Sequence, residues 1–164
     1  MPIKDLLGDI EGFVDKVFDI LDKEGIDVSE SYLDHICYRV ETQEEYKEFQ
    51  TELEKYGYLL TEKEINGRPI SSYKLIEPIV LHENEISVVE LPSPKADTPY
   101  KRGLEHAELV IVEDFKTFMG LYPSTKFNMK AANKAVNPDV SIKYDGITIK
   151  FHHKPLEYVI LHEQ

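Results

Sequence analysis

An acid-histidine pair recurs at the start of a predicted strand in each half of the chain, and this repeat constrains the fold more than any other feature. Asp34-His35 opens the stretch DHICYRV, and Glu105-His106 opens the stretch EHAELVIV, 71 residues further along. Both stretches are rich in residues that favour β-strands, and each precedes a helical pattern followed by further strands. A matching position in a matching order of elements predicts two related modules around one core.

The first module, residues 31–91, is predicted to have the order β-α-β-β-β. Thr42 and Glu45 form a capping box at the start of the helix that follows the DHICYRV strand. Asn66-Gly67 favours a hairpin turn between the first two of the three strands that come next. These three strand-like stretches cover residues 58–65, 69–76 and 85–91.

The second module, residues 104–164, is predicted to repeat this order and to carry a short C-terminal helix after Pro155. Residues 92–103 contain three prolines and form the connector between the modules. Asp145-Gly146 marks a tight turn before the last strand. The expected fold is therefore α+β, with two βαβββ modules in a single domain over residues 1–164.

Apolar residues recur at steps of three and four from Ile3 to Leu21, which predicts one long amphipathic helix. Gly25 ends this helix, and residues 1–30 hold the helix and the turn after it. Its opposite face is acidic, so we expect the apolar stripe to pack on the outer side of the sheet as a lid or brace.

The net charge of −12, from 19 Lys and Arg against 31 Asp and Glu, excludes whole classes of partner. A nucleic acid duplex or an anionic membrane would repel such a chain, so we expect neither as a partner. Cys37, the single cysteine, is interpreted as a small buried hydrophobic residue. No signal peptide or transmembrane run is found, which predicts a cytoplasmic protein. The pattern does not define an oligomeric state.

Strand alternation sorts the residues that can carry chemistry onto the two faces of the sheet. His35 shares a face with Arg39, and His106 shares a face with Glu108. If the two modules curl around a common cavity, the two histidines approach each other there. Glu90 lies on a half-buried strand, where a carboxylate needs a cation or several hydrogen-bond donors.

Two imidazoles and a carboxylate are a common ligand set for a divalent Zn, Fe, Mn or Ni ion with open coordination positions. His35, Glu90 and His106 therefore predict such a site. His152, at the end of the last strand, is either a fourth ligand or a capping or surface residue. Any one strand histidine taken alone is more often a core or surface residue than a ligand.

The segments DHICYRV, NGRPISSYKL, SVVELPSP, GLEHAELV and DGITIKFH, in this order, resemble the YecM-like branch of bacterial proteins. The paired modules and their histidines also resemble the vicinal oxygen chelate superfamily, which includes glyoxalase I and extradiol dioxygenases. The resemblance implies a cup-shaped mixed sheet with a divalent metal held by His35, Glu90 and His106. The superfamily's usual last ligand is a glutamate, at the position of Lys150 here. His152, two residues later, then replaces it, or the site has three protein ligands.

The expected function is that of a metal-dependent enzyme acting on a small anionic molecule that chelates the metal through vicinal oxygens. Isomerase, lyase and dioxygenase chemistry all fit a metal acting as Lewis acid while a carboxylate, Glu108 or a displaced Glu90, moves a proton. Arg39 and Lys150 are expected to bind the substrate, unless Arg39 pairs with a neighbouring carboxylate and Lys150 faces solvent. Metal should bind between about pH 6 and 8. The alternative is a non-catalytic module that binds or sequesters a small ligand.

Overall fold

A computed structural model describes residues 2–96 and 101–162, and in these ranges seven strands form one mixed sheet accompanied by five helices. The helices are α1 Lys4–Leu7, α2 Ile10–Lys23, α3 Gln43–Leu53, α4 Phe115–Gly120 and α5 Leu156–His162. The strands are β1 Tyr32–Arg39, β2 Gly57–Ile65, β3 Arg68–Leu81, β4 Asn84–Pro92, β5 Gly103–Val110, β6 Val140–Tyr144 and β7 Ile147–His152. Their spatial order is β2-β3-β4-β1-β5-β7-β6, so the predicted α+β class is confirmed.

The centre of the sheet is built from the first strand of each half. β1 runs antiparallel to β5, β4 lies parallel to β1 on one side, and β7 lies parallel to β5 on the other. The outer strands join by antiparallel pairing. The two strands that carry the acid-histidine pairs are therefore direct neighbours.

The two halves differ by one strand in the described ranges, so the predicted second βαβββ module is not confirmed. The first half has the order β1-α3-β2-β3-β4, whereas residues 101–162 contain only β5-α4-β6-β7 before the last helix. Beside β6 there is a single bridge between Asn128 and Ser141, with N···O distances of 2.7 and 3.1 Å. Residues 122–139 are rich in Pro, Asn and Ala, which disfavour a continuous strand.

The N-terminal stripe forms two helices rather than the one long helix that its periodicity predicts. Gly8 has φ = 84° and separates α1 from α2, and the Asp9 side chain caps α2 by accepting from the Gly12 N–H. The apolar side of α2 lies in the same core as Ile36 and Ala107. Because side chains alternate along a strand, this core lies on the sheet face opposite to the histidines.

The local turn and cap signals form as the sequence predicts. Asn66-Gly67 has φ values of 54° and 81°, and Asp145-Gly146 has 50° and 80°, as two-residue hairpins require. Thr42 accepts from the Glu45 N–H at 3.0 Å at the start of α3. The predicted connector at 92–103 has β4 ending at Pro92 and β5 beginning at Gly103, and its residues 97–100 lie outside the described ranges.

Two segments of the second half cover the histidine face. The backbone N–H of Leu156, at the start of α5, donates to Asp34 Oδ2 at 2.9 Å. Asn137, in the segment before β6, accepts from His152 Nδ1 at 2.9 Å. These two segments therefore contact the side chains of Asp34 and His152 beside the histidine face. Within the described ranges, every helix is too short or too polar to cross a bilayer.

Candidate metal centre

Strand pairing brings the predicted ligands into two adjacent rows across the sheet. His35 on β1 lies opposite Glu108 on β5, and Cys37 lies opposite both Glu90 on β4 and His106 on β5. Directly paired residues point to the same face of a sheet. Consequently one donor atom from each of four residues lies within 4.8 Å of the others: His35, Glu90, His106 and Glu108. We call these four residues the His/Glu cluster.

The spacing inside the His/Glu cluster is that of ligands around one ion. His35 Nε2 lies 2.9 Å from Glu108 Oε2, and His106 Nε2 lies 3.2 Å from Glu90 Oε1 and 3.5 Å from Glu108 Oε2. Metal bonds of about 2.0–2.2 Å at tetrahedral or octahedral angles place neighbouring ligand atoms about 3.0–3.5 Å apart. The donor set and its separations therefore fit a divalent metal ion.

Each histidine is held by the acid that precedes it in the sequence. His35 Nδ1 bonds to Asp34 Oδ2 at 2.8 Å, and His106 Nδ1 bonds to Glu105 Oε2 at 2.7 Å. A carboxylate on one ring nitrogen of a metal-binding histidine fixes the ring's orientation and makes the other nitrogen a better ligand. The repeated pair thus directs both Nε2 atoms into the cluster, a role that the sequence analysis did not assign to Asp34 or Glu105.

Two β-bulges explain how each acid can hydrogen-bond to the histidine that follows it, although consecutive strand residues normally point to opposite faces. The β1–β5 register skips Asp34 between Leu33 and His35, and it skips Glu105 between Leu104 and His106. Each acid is the third residue of its strand. A bulge leaves an extra residue unpaired and re-aims its side chain. Strict alternation, which places an acid and its histidine on opposite faces, therefore fails at these two positions.

The charges of the His/Glu cluster shift the pKa values of its members in opposite directions. Burial lowers the pKa of His35, but the charge of Glu108 and the hydrogen bonds to Asp34 and Glu108 outweigh it and raise the pKa to about 10. His106 behaves alike: burial lowers its pKa, and its contacts with Cys37, Glu105 and Glu108 raise it well above the usual value. Without a metal, both rings are therefore cationic at neutral pH.

The two carboxylates complete this charge balance. Burial raises the pKa of Glu90, but the hydrogen bond to His106 and the charges of His106 and His35 lower it to about 2. Burial opposes ionisation of Glu108 too, and the charge of His35 and the bonds to both histidines hold its pKa well below its usual range. A divalent ion can replace the two imidazole protons without changing the net charge of the cluster.

Glu108 also carries a buried oxygen, Oε1, that has no hydrogen-bond partner among the described residues. Buried polar atoms are nearly always paired, because an unpaired one loses its hydration without compensation. This unpaired oxygen lies 3.7 Å from His152 Nδ1, whereas Oε2 of the same carboxylate contacts His35 and His106.

His152 lies in a separate group with Asp34 and His35, whose donor atoms also lie within 4.8 Å of one another. Its Nε2 is buried without a hydrogen bond in the described part of the chain and is 3.7 Å from Asp34 Oδ2. Burial lowers the pKa of His152, so the ring is neutral. The structure thus brings Glu108, rather than His152, beside Glu90 and His106.

The two predicted substrate-binding residues line a cleft of about 690 Å³ that reaches His106. Lys150 on β7 lies opposite Glu108, and the charges of Glu108 and Glu90 overcome the effect of burial and raise its pKa. Arg39 forms an ion pair with Glu105 at 3.6 Å, so the carboxylate pairing considered for it does occur. Burial raises the pKa of Cys37, which remains a thiol.

A mixed seven-stranded sheet with a buried histidine-carboxylate cluster at its centre defines the class: an α+β protein with a candidate metal centre. The chain belongs to the YecM family, because the family model described as YecM protein matches residues 2–163. Protein YecM of Escherichia coli (strain K12) is 27% identical over 177 residues, covering 99% of this chain and 94% of that protein. An uncharacterized protein of Haemophilus influenzae is 30% identical over 159 residues, covering 88% and 83%.

Two solved structures are similar to this chain. A structural genomics protein named EC4020 is similar at a TM-score of 0.79 with 28% identity, covering 95% of this chain and 90% of that chain. A "putative dioxygenase" from Bacillus subtilis is similar at a TM-score of 0.50 with 14% identity, covering 76% and 41%. The second likeness concerns the fold alone. The prediction of a YecM-like chain is confirmed.

Proposed function

We propose that this protein binds one divalent metal ion through His35, Glu90, His106 and Glu108, and uses it as an enzyme of the vicinal oxygen chelate type. The observation that carries the proposal is the convergence of three buried donor groups and the half-buried Glu90 at ligand spacing, each histidine backed by a carboxylate. The proposal differs from the expectation from sequence in two residues: it takes Glu108 as a ligand and leaves His152 out of the ligand set.

The metal supplies Lewis-acid polarisation of a substrate oxygen when it is bound. The chain's own residues hold and orient the substrate. Lys150, protonated beside Glu108, offers a cation next to the cluster for an anionic oxygen, and Arg39 offers another from the Glu105 side of the cleft. His35, His106 and Glu108 are buried, and the lower local dielectric strengthens these charge interactions.

The substrate class is a small anion that chelates through two neighbouring oxygens. Isomerase, lyase and dioxygenase chemistry share this requirement, and the fold-level likeness to the Bacillus subtilis "putative dioxygenase" supports keeping dioxygenation among them. Zn, Fe, Mn and Ni all accept two imidazoles and two carboxylates.

A non-catalytic binding module is the second candidate, and the number of donor groups favours it. Four protein ligands fill a tetrahedral site, as in structural metal centres, whereas an enzyme needs open positions. Water-proton relaxation of the Mn(II)-loaded protein distinguishes the two. At least two fast-exchanging waters support the enzyme, and none supports the binding module.

The ligand assignment is tested by elemental analysis of protein purified without a metal-affinity tag. We expect about one ion per chain in the wild type and in His152→Gln, and a loss of most of it in His106→Ala. His162→Gln, a change at the exposed end of α5, serves as the matched histidine control and should retain the ion. Equal metal in His106→Ala and wild type, or loss in His152→Gln alone, contradicts the assignment.

A further inference from the structure

The cleft that leads to the His/Glu cluster is lined by an excess of cations. Its cationic lining residues are Arg39, Lys126, Lys130, Lys134, Lys143 and Lys150. Among the described residues, two carboxylates, Glu105 and Asp139, line it with them. In a chain of net charge −12, about a third of all 19 Lys and Arg residues therefore face one cleft.

Most of these lysines are not neutralised by neighbours. Lys134 pairs with Asp139 at 3.3 Å. Within the described ranges, the side chains of Lys126, Lys130 and Lys143 make no hydrogen bond or ion pair. A divalent ion balanced by Glu90 and Glu108 would leave the positive charge of this lining uncompensated. Such a charge excess attracts an anion, although the field of the whole molecule repels one.

The strand register gives the distance of Lys143 from the His/Glu cluster. His106 on β5 lies opposite Thr148 on β7, and Thr148 lies opposite Lys143 on β6. Two strand spacings of about 4.8 Å place the Cα atom of Lys143 about 10 Å from that of His106, on the same sheet face. Lys126 and Lys130 lie in the segment that bridges to β6 at Asn128.

We propose that this cleft binds a phosphorylated small molecule, with its vicinal oxygens at the metal and its phosphate against Lys126, Lys130 and Lys143. The inference rests on the proposed metal site and names its substrate class. Several lysines around one point suit the two negative charges of a phosphate monoester better than the single charge of a carboxylate. The volume of about 690 Å³ is that of a small-molecule site, and the lining includes the buried side chain of His106.

The test uses two probes that differ by one phosphate, D-3-phosphoglycerate and D-glycerate, titrated by calorimetry into the Mn(II)-loaded protein. Both offer a 2-hydroxy acid to the metal, so only the phosphate distinguishes them. We expect wild type to bind the phosphorylated probe at least tenfold more tightly. The triple variant Lys126→Gln/Lys130→Gln/Lys143→Gln should lose this preference while its affinity for D-glycerate stays within threefold.

A matched control separates local contacts from overall charge. Lys47→Gln/Lys63→Gln/Lys116→Gln removes the same charge from exposed positions outside the cleft, and it should keep the tenfold preference. Equal affinity of wild type for the two probes overturns the proposal. An equal loss of preference in the control and the cleft variant overturns it too, because the effect then comes from the overall field.

Titration of inorganic phosphate into metal-free protein tests the cleft separately from the metal site. It shows which of the two proposals is wrong if only one of them fails. Phosphate binding that needs the three lysines in a protein that takes up no metal supports the cleft and contradicts the proposed function. If the wild type takes up metal but shows no preference for the phosphorylated probe, the proposal of a phosphate-binding cleft is wrong. The proposed metal site is then unaffected.

Discussion

The side chain that precedes each histidine determines which ring nitrogen faces the His/Glu cluster. Asp34 and Glu105 each accept from an Nδ1–H within 2.8 Å, so both Nε2 atoms are left for the centre. In the sequence alone, these two acids are recognisable only as markers of a repeat. Their role depends on bulges in β1 and β5, and no residue pattern in either strand signals a bulge.

Glu105→Gln tests this positioning role. The amide keeps the side chain's size but removes the charge that makes His106 a stronger ligand, so we expect metal affinity to fall about 10- to 100-fold. The measurement is competition with a chelator of known affinity. Glu113→Gln, an acid outside the cluster, is the control and should bind as wild type does. An unchanged affinity in Glu105→Gln would show that the hydrogen bond to His106 does not tune the site.

Metal binding should release about two protons per ion near pH 7.5. The pKa of His35 is raised to about 10 and that of His106 well above 6.5, so both rings hold a proton that the ion must displace. Affinity therefore rises with pH, continues to rise above pH 8, and is lost as the pH falls. This differs from the window of pH 6 to 8 expected from unperturbed histidines.

Calorimetry in two buffers of different ionisation enthalpy counts the protons released. His106→Ala, titrated at metal concentrations high enough to offset its weaker binding, should release about one proton fewer. A heat of binding that is the same in both buffers means that no proton is released, and it contradicts the charge balance described for the His/Glu cluster.

Among the helices and strands, the sequence predicted those features that depend on neighbouring residues in the chain. It did not predict features that depend on contacts between distant segments. The α3 cap at Thr42, the Asn66-Gly67 turn and the central histidine strands follow from residues that are adjacent in the chain. Two features did not: the break at Gly8, which lies inside a continuous apolar stripe, and the loss of a strand beside β6. Periodicity reports which side of a segment is buried and not whether its backbone is continuous.

The β2–β3 pairing at the edge of the sheet depends on a glycine. A Cβ at Gly57 would lie against the carbonyl oxygen of Lys74 and 2.8 Å from its carbon. Gly57→Ala must therefore push the two backbones apart, and we expect it to lower the free energy of unfolding by about 2 kcal/mol.

Gly120→Ala is the matched control for this change. A Cβ at Gly120, the last residue of α4, meets nothing within 4 Å, and alanine favours a helix, so stability should stay equal or rise by about 0.5 kcal/mol. Urea denaturation measures both variants. Equal stabilities of Gly57→Ala and wild type would show that the strands can separate at this point without cost.

In the molecule as a whole, the two faces of the sheet carry different kinds of side chain. One face of the central strands carries the apolar core with α2, and the other carries the histidines, their carboxylates and a cationic cleft. His35 and His106 could be singled out from sequence because the repeat marks them, and Glu90 because a carboxylate on a half-buried strand needs a partner. The sequence could not show whether Glu108 or His152 lies beside them, because this depends on how β5 and β7 align with β1.

The most direct test of the metal site is an anomalous difference map from crystals of tag-free protein soaked in Mn(II). We expect one dominant peak, about 2.0–2.2 Å from Nε2 of His35 and of His106 and in contact with Glu90 and Glu108. A dominant peak between Asp34 and His152, or no peak between the two central histidines, would contradict the account.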